Sequence, residues 1–157
     1  LAIAALKRKQ FSKFDFSRFH PGGNLGKQLK TVGDIMVSGK KIPLINEDVN
    51  MQKAVKIITD KKLGVLIAEN KGRNTTGIIT DGNVRKLQQK NLNLNNIKIK
   101  KVMTRKPITI DVDTLAAKAL RIMNEKKITS LCVHKNNKKN KTIGLVHIHH
   151  ILDANIE

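Results

Sequence analysis

The sequence contains few of the residues that stabilise small proteins through covalent or aromatic contacts. Its 157 residues include one cysteine, Cys132, and neither tryptophan nor tyrosine. A single cysteine excludes an internal disulfide and a zinc site made of several cysteines. No apolar run approaches the roughly 20 residues of a membrane-spanning helix, so no membrane partner is expected. With 39% hydrophobic residues in a regular pattern, the chain can still bury a core.

Aromatic residues are confined to one stretch near the start. All four phenylalanines lie within residues 11–19, so the core of the remaining chain must be aliphatic. Residues 1–10 begin apolar and end basic, which is typical of the end of a helix and is the reverse of a signal peptide. Ser12 and Asp15 form a capping pattern that predicts a short helix, which Pro21 and the glycines after it end. Because the sequence begins without methionine, we expect it to be a fragment.

Positive charge dominates the composition. Lysine and arginine number 31 against 12 acidic residues, giving a net charge of +19, which is compatible with a polyanionic partner. The basic residues are 25 lysines and only 6 arginines, and 19 isoleucines and 15 asparagines accompany them. Lysine, isoleucine and asparagine share A/T-rich codons, so base composition explains the excess. Nucleic-acid readers favour arginine and aromatic residues. We therefore expect no specific nucleic acid, and a nucleic-acid-binding protein is the less favoured alternative.

From about residue 34 the sequence repeats itself at an offset of 65 to 67 residues. Residues 42–48 match 107–113, residues 54–58 match 119–123, and residues 77–80 match 144–147. Two units of about 60 residues therefore fill this part of the chain.

Each unit has the same predicted order of elements. A short extended stretch (42–46 or 107–111) precedes a helix whose apolar residues are three and four apart, starting at Met51 or Leu115. Two strands follow, at 65–68 and 77–80 or at 130–133 and 143–147, and a last helix covers 82–90 or 148–155. The fold class is thus α/β (α+β), with two β-α-β-β-α repeats. One unit is too small to stand alone, so we expect the two to pack with pseudo-twofold symmetry.

The end of each repeat resembles the signature of cystathionine-β-synthase-type (CBS) domains, a glycine, two hydrophobic residues, Thr-x-x-Asp and then a helix. Here it reads Gly77 to Asn83 and Gly144 to His150. Phe19-His20-Pro21-Gly22-Gly23, followed by Val32-x-Asp34-Ile35-Met36, makes the chain more closely similar to the C-terminal part of D-arabinose-5-phosphate isomerases. These enzymes join a sugar isomerase (SIS) domain to a CBS pair. The resemblance implies an SIS tail and linker at 1–26, one CBS domain at 27–95 and another at 96–157.

The resemblance implies a regulatory and oligomer-forming module that self-associates through its CBS pair. The intact enzyme would interconvert D-ribulose 5-phosphate and D-arabinose 5-phosphate in the cytoplasm and feed the synthesis of Kdo, a sugar of lipopolysaccharide or capsules. No cofactor is implied. The fragment itself should be non-catalytic, because it shows neither a phosphate cradle nor an acid–base pair. His20 is the implied catalytic residue, acting on a neighbouring subunit of the intact enzyme. Without the resemblance, His20 reads as the end of a helix.

Six further residues are the implied ligand contacts of the two clefts. In CBS domains generally, the signature threonine contacts phosphate or sugar, and the aspartate accepts the ribose hydroxyls of an adenosine nucleotide. Thr80 keeps the first role, but the aspartate positions hold Asn83 and His150, and the second threonine position holds His147. We therefore expect weak AMP or ATP binding, and a sugar phosphate or another nucleotide is the candidate effector. Asp81 and Arg85 flank the first signature, where they line the cleft or are exposed charges at a helix start.

The histidines at 147, 149 and 150 also suggest a metal site. Such a site needs three or four ligands, no cysteine is near, and Asp153 adds one carboxylate at best. No metal is therefore predicted. A second class of function stays open, a nucleotide-sensing CBS module of a protein unrelated to sugar isomerisation. An SIS domain upstream would favour the isomerase.

Overall fold

The structure is a computed structural model that describes residues 23–157. His20 and the predicted helix that begins near Ser12 lie outside the described residues. The helices are α1 (Asn24–Gln28), α2 (Val32–Ile35), α3 (Met51–Lys61), α4 (Asp81–Gln89), α5 (Ala116–Lys126) and α6 (Ile148–Asp153). The strands are β1 (Val37–Ser38), β2 (Leu44–Asn46), β3 (Val65–Glu69), β4 (Thr75–Thr80), β5 (Thr104–Arg105), β6 (Thr109–Asp111), β7 (Ser130–His134) and β8 (Gly144–His147). Single 3-10 turns occupy Gly39–Lys41, Leu94–Asn96 and Ile99–Lys101.

The elements predicted for both repeats are present in the predicted order. Local chemistry sets their ends: the Asn50 side chain accepts a hydrogen bond from the Lys53 amide at the start of α3, and Lys62 ends that helix in the left-handed conformation. Lys127 ends α5 in the same way. The buried face of α3 consists of Met51, Ala54 and Ile58, which has the spacing that predicted the helix.

Two four-stranded sheets form the framework, with strand orders β2-β3-β4-β5 and β1-β8-β7-β6. In the first repeat β2 pairs parallel with β3, and β3 pairs antiparallel with β4. The second repeat copies this arrangement with β6, β7 and β8. The two-residue strands are exchanged: β5, which precedes the second repeat, pairs with β4 of the first, and β1 pairs with β8 of the second. Each sheet is therefore completed by the other repeat's leading strand.

A methionine beside each exchanged strand packs against a glycine of the receiving sheet. A Cβ atom on Gly77 would lie 2.7 Å from Met103 Sδ and 2.8 Å from the Thr104 carbonyl oxygen. A Cβ atom on Gly144 would likewise collide with Met36 Sδ. The signature glycines are thus required by the close approach of a neighbouring chain segment. Both methionines belong to the core: Met103 is buried in the first core cluster and Met36 packs against the second.

Each repeat has its own core, and a third cluster joins the repeats. The buried residues of this third cluster are Ile42, Val65, Ile67, Cys132 and Leu145. Cys132 is 2% exposed, and burial raises the pKa of its thiol to about 12. Cys132 is therefore a core residue, and its thiol is held in the unreactive protonated form.

The turns that follow β3 and β7 form a second junction between the repeats. The Thr75 amide donates to the Asn140 carbonyl oxygen at 2.9 Å, and the hydroxyl oxygens of Thr75 and Thr142 lie 2.6 Å apart. The Lys141 ammonium donates to the Gly72 carbonyl oxygen at 2.9 Å. These contacts fix the two turns against each other. Within residues 23–157, no helix is both long and apolar enough to cross a membrane.

Candidate functional site

A cleft of about 380 Å³ opens between the two repeats. The first repeat contributes Ile78 and Thr80 from β4, and the exchanged strand contributes Thr104. The other lining residues come from the second repeat and the segment that leads into it: Lys106, Pro107, Ile108, Lys127, Ile128, Thr129, Ser130, Cys132 and Leu145. Its volume is that of a site for a small organic ligand.

The lining combines an apolar floor with hydroxyl groups and positive charge. Isoleucine, leucine and proline side chains supply apolar contact, and Thr80, Thr104, Thr129 and Ser130 supply four hydroxyls. Lys106 and Lys127 supply two ammonium groups, and none of the described lining residues carries a carboxylate. This chemistry suits a ligand with an apolar ring and an anionic, oxygen-rich part.

The first signature forms a helix cap through hydrogen bonds between its own residues. Thr80 precedes α4, and its amide and hydroxyl donate to Asn83 Oδ1 at 2.8 and 3.0 Å. In return the Asn83 amide lies 3.4 Å from Thr80 Oγ1, and Asn83 Nδ2 donates to the Val102 carbonyl oxygen at 3.3 Å. The Thr-x-x-Asn spacing is thus that of a capping box. The Asn83 side chain is fully used within the protein, and it does not line the cleft.

The second signature forms the same cap from histidines. The His147 amide donates to His150 Nδ1 at 3.2 Å, and the His149 amide donates to His147 Nδ1 at 3.2 Å. The rings of His147 and His149 stack with centroids 4.9 Å apart. Burial, followed by the positive character of His149, lowers the pKa of His147 below 6.5. Burial also lowers the pKa of His150, with Asp153 opposing the shift. Both imidazoles are therefore held neutral as hydrogen-bond acceptors.

The other residues singled out in the sequence lie at the edge of this arrangement. Asp81 is exposed at the start of α4, and its carboxylate lies over Gly64. Arg85 is exposed one turn further on. Of the six implied ligand contacts, Thr80 alone lines the cleft. In the part of the chain that the structure describes, no three histidine, cysteine or acidic side chains come close enough to hold a metal ion.

Sequence reasoning missed most of the cleft. Thr104, Lys106 and the run from Lys127 to Ser130 line it, but none belongs to the signature. They occupy β5, the segments that lead into β6 and β7, and the first residue of β7. The one signal they share in the sequence is a position next to a strand of the second repeat.

Both repeats match one family model: residues 32–90 and 99–157 each match the CBS domain. Arabinose 5-phosphate isomerase KdsD of Yersinia pestis is 38% identical over 157 residues, which is 99% of this chain and 47% of that protein. Arabinose 5-phosphate isomerase KpsF of Escherichia coli is 36% identical over 149 residues, or 94% of this chain and 44% of that protein. The chain thus spans about half the length of the curated relatives it matches.

The same fold occurs in a solved structure. The crystal structure of Arabidopsis thaliana CBSX2 in complex with AMP has a TM-score of 0.67 and covers 80% of this chain and 95% of CBSX2. The two sequences are 21% identical, so the likeness shows the fold alone.

Proposed function

Because the chain belongs to the CBS domain family, we propose that it is the regulatory and oligomer-forming module of a D-arabinose-5-phosphate isomerase. The similarity to KdsD and KpsF along nearly the whole chain carries this proposal. The intact enzyme would interconvert D-ribulose 5-phosphate and D-arabinose 5-phosphate in the cytoplasm. Its product would enter the synthesis of Kdo for lipopolysaccharide or capsules.

In this proposal the chain regulates and does not catalyse. Aldose–ketose isomerisation needs a base beside the carbonyl and an acid that moves a proton between oxygens. Among the described residues that line the cleft there is no histidine, aspartate or glutamate, so the lining shows no acid–base pair for this reaction. The purified chain should therefore show no turnover of D-ribulose 5-phosphate above a heat-inactivated control. Measurable turnover would contradict the proposal.

The cleft is the proposed effector site. Its four hydroxyls, two lysines and apolar floor suit a sugar phosphate or a nucleotide. The AMP complex of CBSX2 supports the nucleotide class, because CBSX2 has the same fold. A nucleotide-sensing module of an unrelated enzyme is therefore the second candidate function.

Calorimetric titration of D-arabinose 5-phosphate and of AMP into the chain tests the effector site. The variant Thr104→Val/Thr129→Val removes two cleft hydroxyls and keeps side-chain shape. It should weaken binding at least fivefold, because each hydrogen bond contributes about 0.5–1.5 kcal/mol. Thr59→Val is the matched control, since Thr59 lies on α3 and outside the cleft. Equal affinities in all three proteins, or no binding of either compound, would overturn the assignment of the cleft.

Self-association is the second part of the proposed role. Leu152 on α6 is 50% exposed and Leu92, just after α4, is 46% exposed, so the helical side offers apolar surface that another copy can cover. Light scattering should show a dimer or larger species for the wild type and a smaller one for Leu152→Glu. Leu44→Glu, on strand β2, is the control that should leave the assembly unchanged. A monomeric wild type at high concentration would contradict self-association.

A further inference from the structure

A second depression adjoins the cleft and shares a wall with it. It has a volume of about 300 Å³ and is lined by Thr75, Lys106, Pro107, Thr109, Lys139 and Asn140. Lys106 and Pro107 also line the cleft. The two depressions are thus neighbours, and the Lys106 side chain stands at the boundary between them. The lining residues carry two ammonium groups, two hydroxyls and a side-chain amide, and there is no carboxylate among the described residues that line it.

The backbone at Lys106 adopts a conformation that lysine disfavours. Its φ is +52°, in the left-handed region, where a Cβ atom crowds the following carbonyl oxygen. The equivalent residue after the other exchanged strand is Gly39, with φ +58°, and glycine takes this conformation without crowding. The fold therefore requires a left-handed residue at this point in both repeats. The second repeat places a charged residue there, Lys106, where the first has Gly39.

Two residues of the second depression, Thr75 and Asn140, are held in place by the junction between the two turns. Thr75 is hydrogen-bonded to Asn140 and Thr142, and the Asn140 amide nitrogen donates to Asn74 Oδ1 at 3.2 Å. Residues 70–76 and 135–143 together contain six lysines and arginines, and they contain neither aspartate nor glutamate. The depression is thus preformed, and the surrounding chain concentrates positive charge on it.

We propose that Lys106 and Lys139, with the hydroxyls of Thr75 and Thr109, form a phosphate subsite that extends the cleft. The inference rests on the proposed function of the cleft as an effector site and defines the ligand further. The ligand is elongated, with one part in the cleft and a phosphate or diphosphate group between the two lysines. Ammonium groups and hydroxyls in a preformed concavity are the donors that phosphate oxygens accept.

Inorganic pyrophosphate, titrated into the full chain and followed by amide NMR, is the direct probe. We expect saturable shifts at Thr75, Thr109 and Asn140, which equal concentrations of sulfate reproduce only weakly. Lys106→Gly should weaken pyrophosphate binding by about tenfold, the effect expected for one charge-assisted contact. Its melting temperature should equal or exceed that of the wild type, because glycine removes the crowding at φ +52°.

Lys62→Gly is the matched control. Lys62 also has a positive φ, 56°, and the substitution removes the same charge, but Lys62 lines neither depression. It should bind pyrophosphate like the wild type. Equal binding by both glycine variants would overturn the subsite. A lower melting temperature of Lys106→Gly would assign Lys106 a structural role instead.

The proposed function and the subsite can fail separately. If AMP and D-arabinose 5-phosphate leave the cleft residues unshifted while pyrophosphate binding still depends on Lys106, the subsite stands and the effector role of the cleft fails. If AMP or D-arabinose 5-phosphate binds in the cleft but neither depends on Lys106 and pyrophosphate does not bind, the cleft stands and the subsite fails.

Discussion

The last residue of each signature, at the aspartate position, is a capping residue in this protein. Asn83 and His150 each accept a hydrogen bond from the backbone amide at the signature's threonine position. A carboxylate at either position could accept the same bond with one oxygen and keep its second oxygen for a ligand. Asparagine and histidine have a single acceptor for this purpose, and the cap uses it.

Replacing both residues by aspartate should therefore strengthen AMP binding. Each ribose hydroxyl that donates to a carboxylate contributes about 1.5–3 kcal/mol, so Asn83→Asp/His150→Asp should bind AMP at least tenfold more tightly than the wild type. Calorimetric titration measures the difference. Asp81→Asn, which removes an exposed carboxylate beside the same cap, should change little. Low-micromolar binding by the wild type, or no gain in the double variant, would contradict the explanation.

The histidine cap makes stability depend on pH. The pKa values of His147 and His150 are lowered below 6.5 in the folded protein, so just below pH 6.5 the unfolded chain binds more protons. The caps' contribution is complete above pH 6.5 and is lost as pH falls through the folded-state pKa values. His147→Thr/His150→Asn installs the Thr80–Asn83 pair of the first repeat. Between neutral and mildly acidic pH, the melting temperature of this variant should fall less than that of the wild type.

The residues of the cleft show how much of a binding site can be predicted from the sequence. Thr80 could be predicted because it belongs to a contiguous signature that includes its own helix start. Lys106 and Thr129 could not, since they approach Thr80 only after strands of two repeats have paired. Asn83 and His150 were singled out as departures from the signature. Their use as caps follows from geometry within four residues, and the Thr-x-x-Asn pattern indicated that geometry.

Among helices and strands, the spacing of apolar residues predicts the long elements but not the shortest ones. The α3 and α5 helices carry apolar residues three and four apart, and their first residues, Met51 and Ala116, agree with the predicted starts within one residue. Strands β1 and β5 have two residues each, which is too short to show an alternation of apolar and polar residues. Their pairing is decided by partners far along the chain, Leu145 and Gly77.

The pairing of β5 with β4 leads to a prediction for Gly77. A methyl group at this position would lie 2.8 Å from the Thr104 carbonyl oxygen, which belongs to the backbone, so β5 must move away. Gly77→Ala should lower the free energy of unfolding by about 1–3 kcal/mol, the usual cost of overpacking. Gly82→Ala is the contrasting variant, because its methyl group has 3.4 Å to the nearest atom. It lies in α4 and should stabilise the protein by about 0.5–1 kcal/mol. Chemical denaturation compares the two.

At the scale of the whole molecule, the predicted tandem CBS pair is confirmed, because both repeats match the family and build two equivalent sheets. The predicted boundary between residues 95 and 96 stays a prediction. The structure adds that the pair is more than two packed units, since each sheet needs a strand from the other repeat. Nothing in the repeat's periodicity distinguishes an exchanged strand from a local one.

The charge of +19 leads to the last prediction. Because lysines supply most of it and residues 23–157 contain no phenylalanine, tyrosine or tryptophan for stacking, any DNA binding should be weak and indifferent to sequence. The affinity should fall by at least about tenfold between roughly 50 and 200 mM salt as counterion release is lost. Fluorescence anisotropy with two unrelated duplexes measures both properties. Tight, sequence-selective binding near physiological salt would contradict the base-composition explanation.

The exchange of β1 and β5 has a consequence for how two copies of this chain can meet. Residues 90–98 connect the halves, and if they open as a hinge, β5 of one molecule can complete the β4 edge of another in the same register of Gly77 with Arg105. No new contact is needed, so concentration alone decides between the closed monomer and an intertwined, domain-swapped dimer. In dilute solution the high effective concentration of the tethered strand favours the monomer. The monomer thus already contains every bond of the swapped form.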